Sequence, residues 1–170
     1  LEFRRVLFRS SVQQVAEAIS IAVGLEVEIV DNRLRILGGT GYYHGRIGKK
    51  EEDGNLEGNY LYARVLRTGK TQYVEDAQNF KGYDQPVVGN TRLGELAEIC
   101  TPIVLKGEII GIIGLVAFTE DQKHIIKDKR ESMTVFVEKM ADLLSAKADQ
   151  QETLENVEVS RDEMSIVLET

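Results

Sequence analysis

Residues Ile99 to Phe118 read Ile-Cys-Thr-Pro-Ile-Val-Leu-Lys-Gly-Glu-Ile-Ile-Gly-Ile-Ile-Gly-Leu-Val-Ala-Phe, two apolar runs either side of a short polar break. Ile99 to Leu105 reads as one strand and Ile109 to Phe118 as the next. Lys106-Gly107-Glu108 is the turn between them, with Gly107 free to take positive φ. The second strand carries Ile109, Ile110, Ile112, Ile113, Leu115 and Val116 and leaves no polar face, so it is expected to lie buried in the middle of a sheet. Thr119-Glu120-Asp121-Gln122 comes next with a hydroxyl N-cap and acidic residues in the first turn, the composition of a helix start. A hairpin feeding a long helix is the expected C-terminal half of the fold.

Working outward, Ser11 to Val23 places Val12, Val15, Ala16 and Ile19 at helical spacing, and Gly24 ends that helix. Leu25 to Val30 alternates: Leu25, Val27 and Ile29 on one face, Glu26 and Glu28 on the other. That pattern predicts a strand with one face in water. Asp31-Asn32 reads as a hairpin turn, and Leu34 and Ile36 continue a second strand to Leu37. Gly38-Gly39-Thr40-Gly41 bends the chain away and lacks the Lys-Ser/Thr ending of a phosphate-binding loop. Lys49 to Asn59 is polar and glycine-punctuated, a surface loop. Tyr60 to Arg67 is a helix closed by Thr68-Gly69-Lys70, and Thr71 to Val74 is a short strand. Glu75 to Asn90 is irregular, and Arg92 to Glu98 reads as a short helix. The class is α+β: an antiparallel sheet with helices mainly on one side.

From Thr119 onward the pattern stays helical. Met133, Met140, Leu154 and Leu168 share one heptad position, and Phe136, Leu143, Val157 and Met164 the position three residues later. Lys147, Gln150 and Arg161 interrupt this seam, which predicts a coiled coil and a homodimer. Residues 11–148 are expected to form the domain, and 149–170 a helical linker toward a further domain, as in a piece of a longer protein. Leu1 to Ser10, with three arginines and two phenylalanines, differs in composition from the rest of the chain and reads as a non-native linker or adapter segment.

The 170 residues are 42% hydrophobic and 29% charged, with a formal charge of -7, which suits a domain with a real core and argues against phosphate contact by this segment. No apolar run reaches the roughly 18–20 residues that span a bilayer, and a single cysteine excludes an intrachain disulfide. A cytoplasmic location is the expectation.

Chemistry-bearing residues are sparse. His44 and His124 have no carboxylate or thiol at metal-ligand spacing, so no metal is expected. Glu95, Glu98 and Asp84 read as single carboxylates without pairing, and Cys100 as a small packing residue without a base nearby. No catalytic residue can be named, and no enzyme is expected. Six tyrosines and no tryptophan leave aromatic residues near the loops. If these line a cavity, Tyr42, Tyr83, Arg92 and Cys100 border it, with arginine orienting an anionic group.

Several of these segments together resemble a known family. They are Val15-Ala16-Glu17-Ala18-Ile19, the Leu25 to Leu37 hairpin, Gly39-Thr40-Gly41 and Val65 to Lys70. Above all they are Ala97-Glu98-Ile99-Cys100-Thr101-Pro102-Ile103 with Gly107 to Leu115. The chain is similar to the N-terminal sensory domain of sigma-54-dependent transcriptional regulators of the type found in anaerobic Firmicutes, itself similar to GAF and PAS sensors. The resemblance covers roughly residues 11–148. It implies a small-molecule-sensing domain that passes a change through its C-terminal helix to a PAS domain, an AAA+ ATPase and a helix-turn-helix. Many members carry clustered cysteines in the loop before the Pro-Ile strand; here Phe80 to Leu93 has none, so no metal or redox centre is carried over. The rival expectation is a ligand-free module that only holds two output domains together.

Overall fold

The computed structural model describes residues 2–82, 84, 87–88, 91–92 and 94–169, with the backbone alone for residues 2–10, 87–88 and 91–92. Helix α1 (Glu2–Val23) ends where Gly24 turns to φ 73°. Strands β1 (Glu26–Asp31) and β2 (Ile36–Gly39) come next, then 3-10 turns at Gly41–Arg46 and Glu51–Gly54 and helix α2 (Leu61–Thr68). Strand β3 (Gln72–Val74) precedes a two-residue pair, β4 (Val87–Val88) and β5 (Thr91–Arg92). Strands β6 (Ala97–Leu105) and β7 (Glu108–Ala117) lead into helices α3 (Glu120–Asp128) and α4 (Arg130–Glu169).

Five strands make one antiparallel sheet in the order β2-β1-β7-β6-β3. The β6–β7 hairpin is its centre. Lys106 and Gly107 both take positive φ, 51° and 81°, the mirror-image two-residue turn that matches strand twist, and Leu105 pairs with Glu108 across it. In β7, Ile112, Ile113, Leu115 and Val116 are fully buried, as the absence of a polar face predicts. Thr119 then caps α3: its hydroxyl accepts from the Gln122 backbone N–H, and the Gln122 side chain accepts in return from the Thr119 N–H.

One face of the sheet is hydrocarbon. Val27, Ile29, Ile99, Ile113 and Leu115 pack with Val12, Ala16 and Ile19 of α1, Ile126 of α3 and Val137, Ala141 and Leu144 of α4. Gln13 of α1 fastens the edge strand by donating to the Gly39 carbonyl and accepting from the Gly39 N–H. Arg130 lies 3.9 Å over the Tyr73 ring, tying the start of α4 to β3. Among the described residues no helix is long and apolar enough to cross a membrane.

Several expectations need correction. The turn after β1 is longer than Asp31-Asn32. Asp31 Oδ1 accepts from the backbone N–H of Arg33 and Arg35, Leu34 sits buried at φ 65°, and β2 begins only at Ile36. The described residues from Arg92 to Glu98 form no helix. Arg92 ends β5, and β6 begins at Ala97, because Ala97 continues the inward alternation of Ile99 and Ile103. The helical stretch from Thr119 is broken at Lys129, a change of direction that lets Ile126 and Val137 both reach the core. Glu28 is not in water: only 2% of it is exposed, because the second face of the sheet is covered as well.

Candidate functional site

The second face is covered by α2, the chain around Leu34 and Ile36, and the Glu51–Gly54 turn. Val30, Leu34, Ile36, Leu61, Tyr62, Val65, Val74, Cys100 and Ile112 form a second apolar cluster there. Strand alternation directs Glu28, Glu98 and Cys100 to this side, since their neighbours Val27, Ile29 and Ile99 point to the helices. Gly114 of β7 pairs with both Glu28 and Cys100.

Between sheet and cover lies a cavity of about 20 Å³, room for roughly one water molecule. Its wall is acidic: Glu28 from β1, Glu51 and Glu52 from the turn, Glu95 and Glu98 at the head of β6, closed by Leu61 and Tyr62 of α2. Gly114 makes the space. A Cβ there would stand 2.5 Å from the Tyr62 hydroxyl and 2.8 Å from Glu98 Oε1.

Three of the five carboxyl groups are held. Glu52 accepts from the backbone N–H of Tyr62 at 2.8 Å and of Ala63 at 2.9 Å, satisfying the start of α2. Glu95 accepts from the buried Tyr43 hydroxyl at 2.5 Å. Glu51 meets Arg46 Nε at 3.4 Å on the outer side. Glu28 Oε2, Glu98 Oε1 and the Tyr62 hydroxyl are buried with no hydrogen-bond partner among the described residues. The turn that supplies Glu51 and Glu52 is itself unusual, because Glu52 and Asp53 sit at φ 52° and 54°.

Burial sets the ionisation. It holds the Glu28 carboxyl well above the usual carboxylate range, with Glu51 adding to the effect. It does the same for Glu98, where Glu95 adds to it and the Tyr62 hydroxyl beside it pulls the other way. Burial lifts Glu95 as well. Glu52 is pushed up to about 7 by burial, against the downward pull of its two backbone donors. The Cys100 thiol is raised by burial and then by Glu98, so it stays a thiol at neutral pH.

Tyr42 lies outside the cavity, against Tyr43 and Phe118, with the Arg46 guanidinium 5.6 Å from its ring centre. Arg46 thus links Tyr42 to Glu51. Cys100 sits two residues along β6 from Glu98, on the same face and fully buried. Tyr83 and the side chain of Arg92 lie outside the described residues. Sequence reasoning missed Glu28, Glu51 and Glu52, noted Tyr43 and Tyr62 only among six tyrosines suited to a pocket wall, and treated Glu95 and Glu98 as isolated. One signal was available. A central strand apolar on both faces requires cover on both faces, so a glutamate on the neighbouring strands cannot stand in water.

The family model of the GAF domain matches residues 4–144. The chain belongs to the GAF domain family. It is 30% identical over 138 residues to a protein of Escherichia coli (strain K12) named a uric acid sigma-54-dependent transcriptional regulator, UacR. The match takes in 76% of this chain and 22% of that protein, so the GAF domain spans about a fifth of its relative's length. Two solved structures share the fold. One is the GAF domain of a phosphoenolpyruvate-protein phosphotransferase from Coxiella burnetii, with TM-score 0.63, 14% identity, and 88% of this chain and 86% of that one covered. The other is the type II free methionine-R-sulfoxide reductase of Thermoplasma acidophilum, with TM-score 0.62, 18% identity, and 86% and 96% covered. The GAF fold therefore occurs in regulatory and in catalytic proteins, and this domain is a homologue of part of a sigma-54-dependent regulator.

Proposed function

We propose that this GAF domain is the small-molecule-sensing module of a cytoplasmic transcriptional regulator, acting without catalysis and without touching DNA itself. The observation that supports it most is the construction of β6. Glu98 and Cys100 face the cavity side, while Ile99 and Ile103 pack in the same core as Val137, Ala141 and Leu144 of α4. A ligand that shifts β6 alters the seat of α4. It biases output only if it prefers one of two α4 arrangements. Uric acid, from the name of the E. coli relative, is the first compound to try. Amide hydrogen exchange decides the matter: a bound ligand should slow exchange both around Glu98 and in α4 from Val137 to Leu144. Protection confined to the cavity wall would leave no transmission and sink the reading.

The exposed half of α4 favours a homodimer. Leu154, Val157, Met164 and Leu168 repeat at heptad spacing with half or more of their surface in water. Sedimentation at micromolar concentration should find two chains, and a monomer there removes the dimer. A dimer that binds no small molecule would instead support the rival, a ligand-free dimerisation module. Cys100, the single cysteine, is buried as a thiol, a poor nucleophile. Free methionine sulfoxide with a thiol reductant should therefore give no turnover.

A further inference from the structure

The cavity's described lining holds no lysine, arginine or histidine, yet five carboxyl groups from three chain segments converge on it. Protein groups satisfy Glu51, Glu52 and Glu95. There remain three polar atoms that close no hydrogen bond among the described residues, Glu28 Oε2, Glu98 Oε1 and the Tyr62 hydroxyl, on residues only 2%, 5% and 4% exposed. Leaving such groups unmet costs free energy in every folded molecule. Gly114, in a strand otherwise rich in branched residues, keeps open the space where two of them sit.

We propose that the cavity receives a small organic cation of the amidinium or guanidinium class, donating N–H groups to Glu28 and Glu98 while the Tyr62 hydroxyl accepts a third. A planar fork of donors reaches two carboxyl groups better than a point charge does. An anion would meet only carboxyl groups. The cavity admits about one water, so entry would require the Glu51–Gly54 turn, whose positive-φ residues sit in a sparsely populated conformation, to give way. The inference rests on the ligand-sensing reading and specifies its ligand.

Binding also moves a proton. Glu28 is faced by Glu51, Glu95 and Glu98, and Glu98 by Glu95, Glu52, Glu51 and Tyr62; burial and the neighbouring carboxyl groups raise both Glu28 and Glu98 and so favour their protonated form in the empty domain, against the pull of Tyr62 on Glu98. Tyr62, Tyr43 and Cys100, all raised by burial, stay protonated throughout. The arriving cation replaces a carboxyl proton, which leaves to solvent, so total charge is conserved.

Calorimetric titration of the full chain with acetamidinium and guanidinium chlorides, beside acetamide, acetate, magnesium chloride, xanthine and urate, tests this. Buffers of different ionisation enthalpy report the proton. Acetamidinium should bind at least about tenfold more tightly than acetamide and release about one proton. Its affinity should rise with pH, by up to about tenfold per unit. Glu98→Gln and Glu28→Gln, each matching a protonated glutamate in shape, should weaken it about tenfold or more and abolish proton release; two variants guard against one misfolding. Equal binding of acetamide, preference for magnesium, or cation binding unaffected by both variants overturns the proposal. Urate or xanthine binding that is lost in the variants, with no cation binding, overturns the ligand class but keeps the sensing reading. No binding by any probe removes both.

Discussion

Glu28 and Ile29 are consecutive in β1 and face opposite sides of one sheet. On Ile29's side, α1, α3 and α4 press mostly hydrocarbon on hydrocarbon, and the buried Thr101 hydroxyl is paired with Thr71. On Glu28's side, the same strands present carboxyl groups to a closed pocket, covered by an eight-residue helix and turns with positive-φ residues. The first face stabilises by removing apolar area from water, at about 25 cal/mol per Å². The second sets polar burial against that gain, and burial raises its carboxyl groups toward the neutral form. A two-residue period therefore lets one sheet bury hydrocarbon on one side and carboxyl groups on the other.

The contrast can be broken by substitution. The largest effect is expected on the helix side. Ile113→Ala should lower stability by about 2–5 kcal/mol, and Ile112→Ala, behind which the turns can partly collapse, should fall toward the low end. Equal shifts of the two denaturant midpoints would mean that both faces are packed alike. Next is pH. Glu52, raised from 4.5 to about 7, binds more protons folded than unfolded between those values, and Glu28 and Glu98 are raised in the same direction. Their contribution is full below pH 4.5 and is lost as pH rises through the folded value. Urea midpoints should thus decline from about pH 5 to about pH 8, by roughly 1–3 kcal/mol in stability, and Glu98→Gln should flatten the decline. A midpoint that climbs with pH would show the carboxyls to be ionised and satisfied. Of similar size is Gly114→Ala, expected to cost about 1–3 kcal/mol as Tyr62 and Glu98 are pushed aside. An unchanged melting temperature would mean that the pocket floor yields freely.

The hydrocarbon face was legible because its signal is continuous. The runs around Gly107 admit few readings other than a hairpin, and Thr119 with Gln122 marks the start of α3 by composition alone. The pocket was not, because each of its carboxyls stands in a context that normally means water. Glu28 alternates with valine and isoleucine as on a half-solvated strand, and Glu51 and Glu52 lie in a glycine-punctuated polar stretch. Burial of such groups depends on partners far along the chain: Glu95 is reached by Tyr43, 52 residues earlier, and periodicity carries no information at that separation. Of the four residues expected to border a pocket, Cys100 lies on the pocket's face of the sheet and Tyr42 one side chain outside it.

The last fully buried residue of helix α4 is Leu144, and the helix continues unbroken to Glu169. At 1.5 Å per residue, that stretch is roughly 37 Å long, tied near its start by the Ser145 hydroxyl donating to the Val104 carbonyl and by the Lys106–Asp149 ion pair. A seat that tilts by only ~5° swings the far end sideways by ~3 Å, most of a strand spacing. Under the proposed sensing role, a small adjustment around Glu98 that tilted this seat would reach the tip as a displacement large enough to make or break a contact.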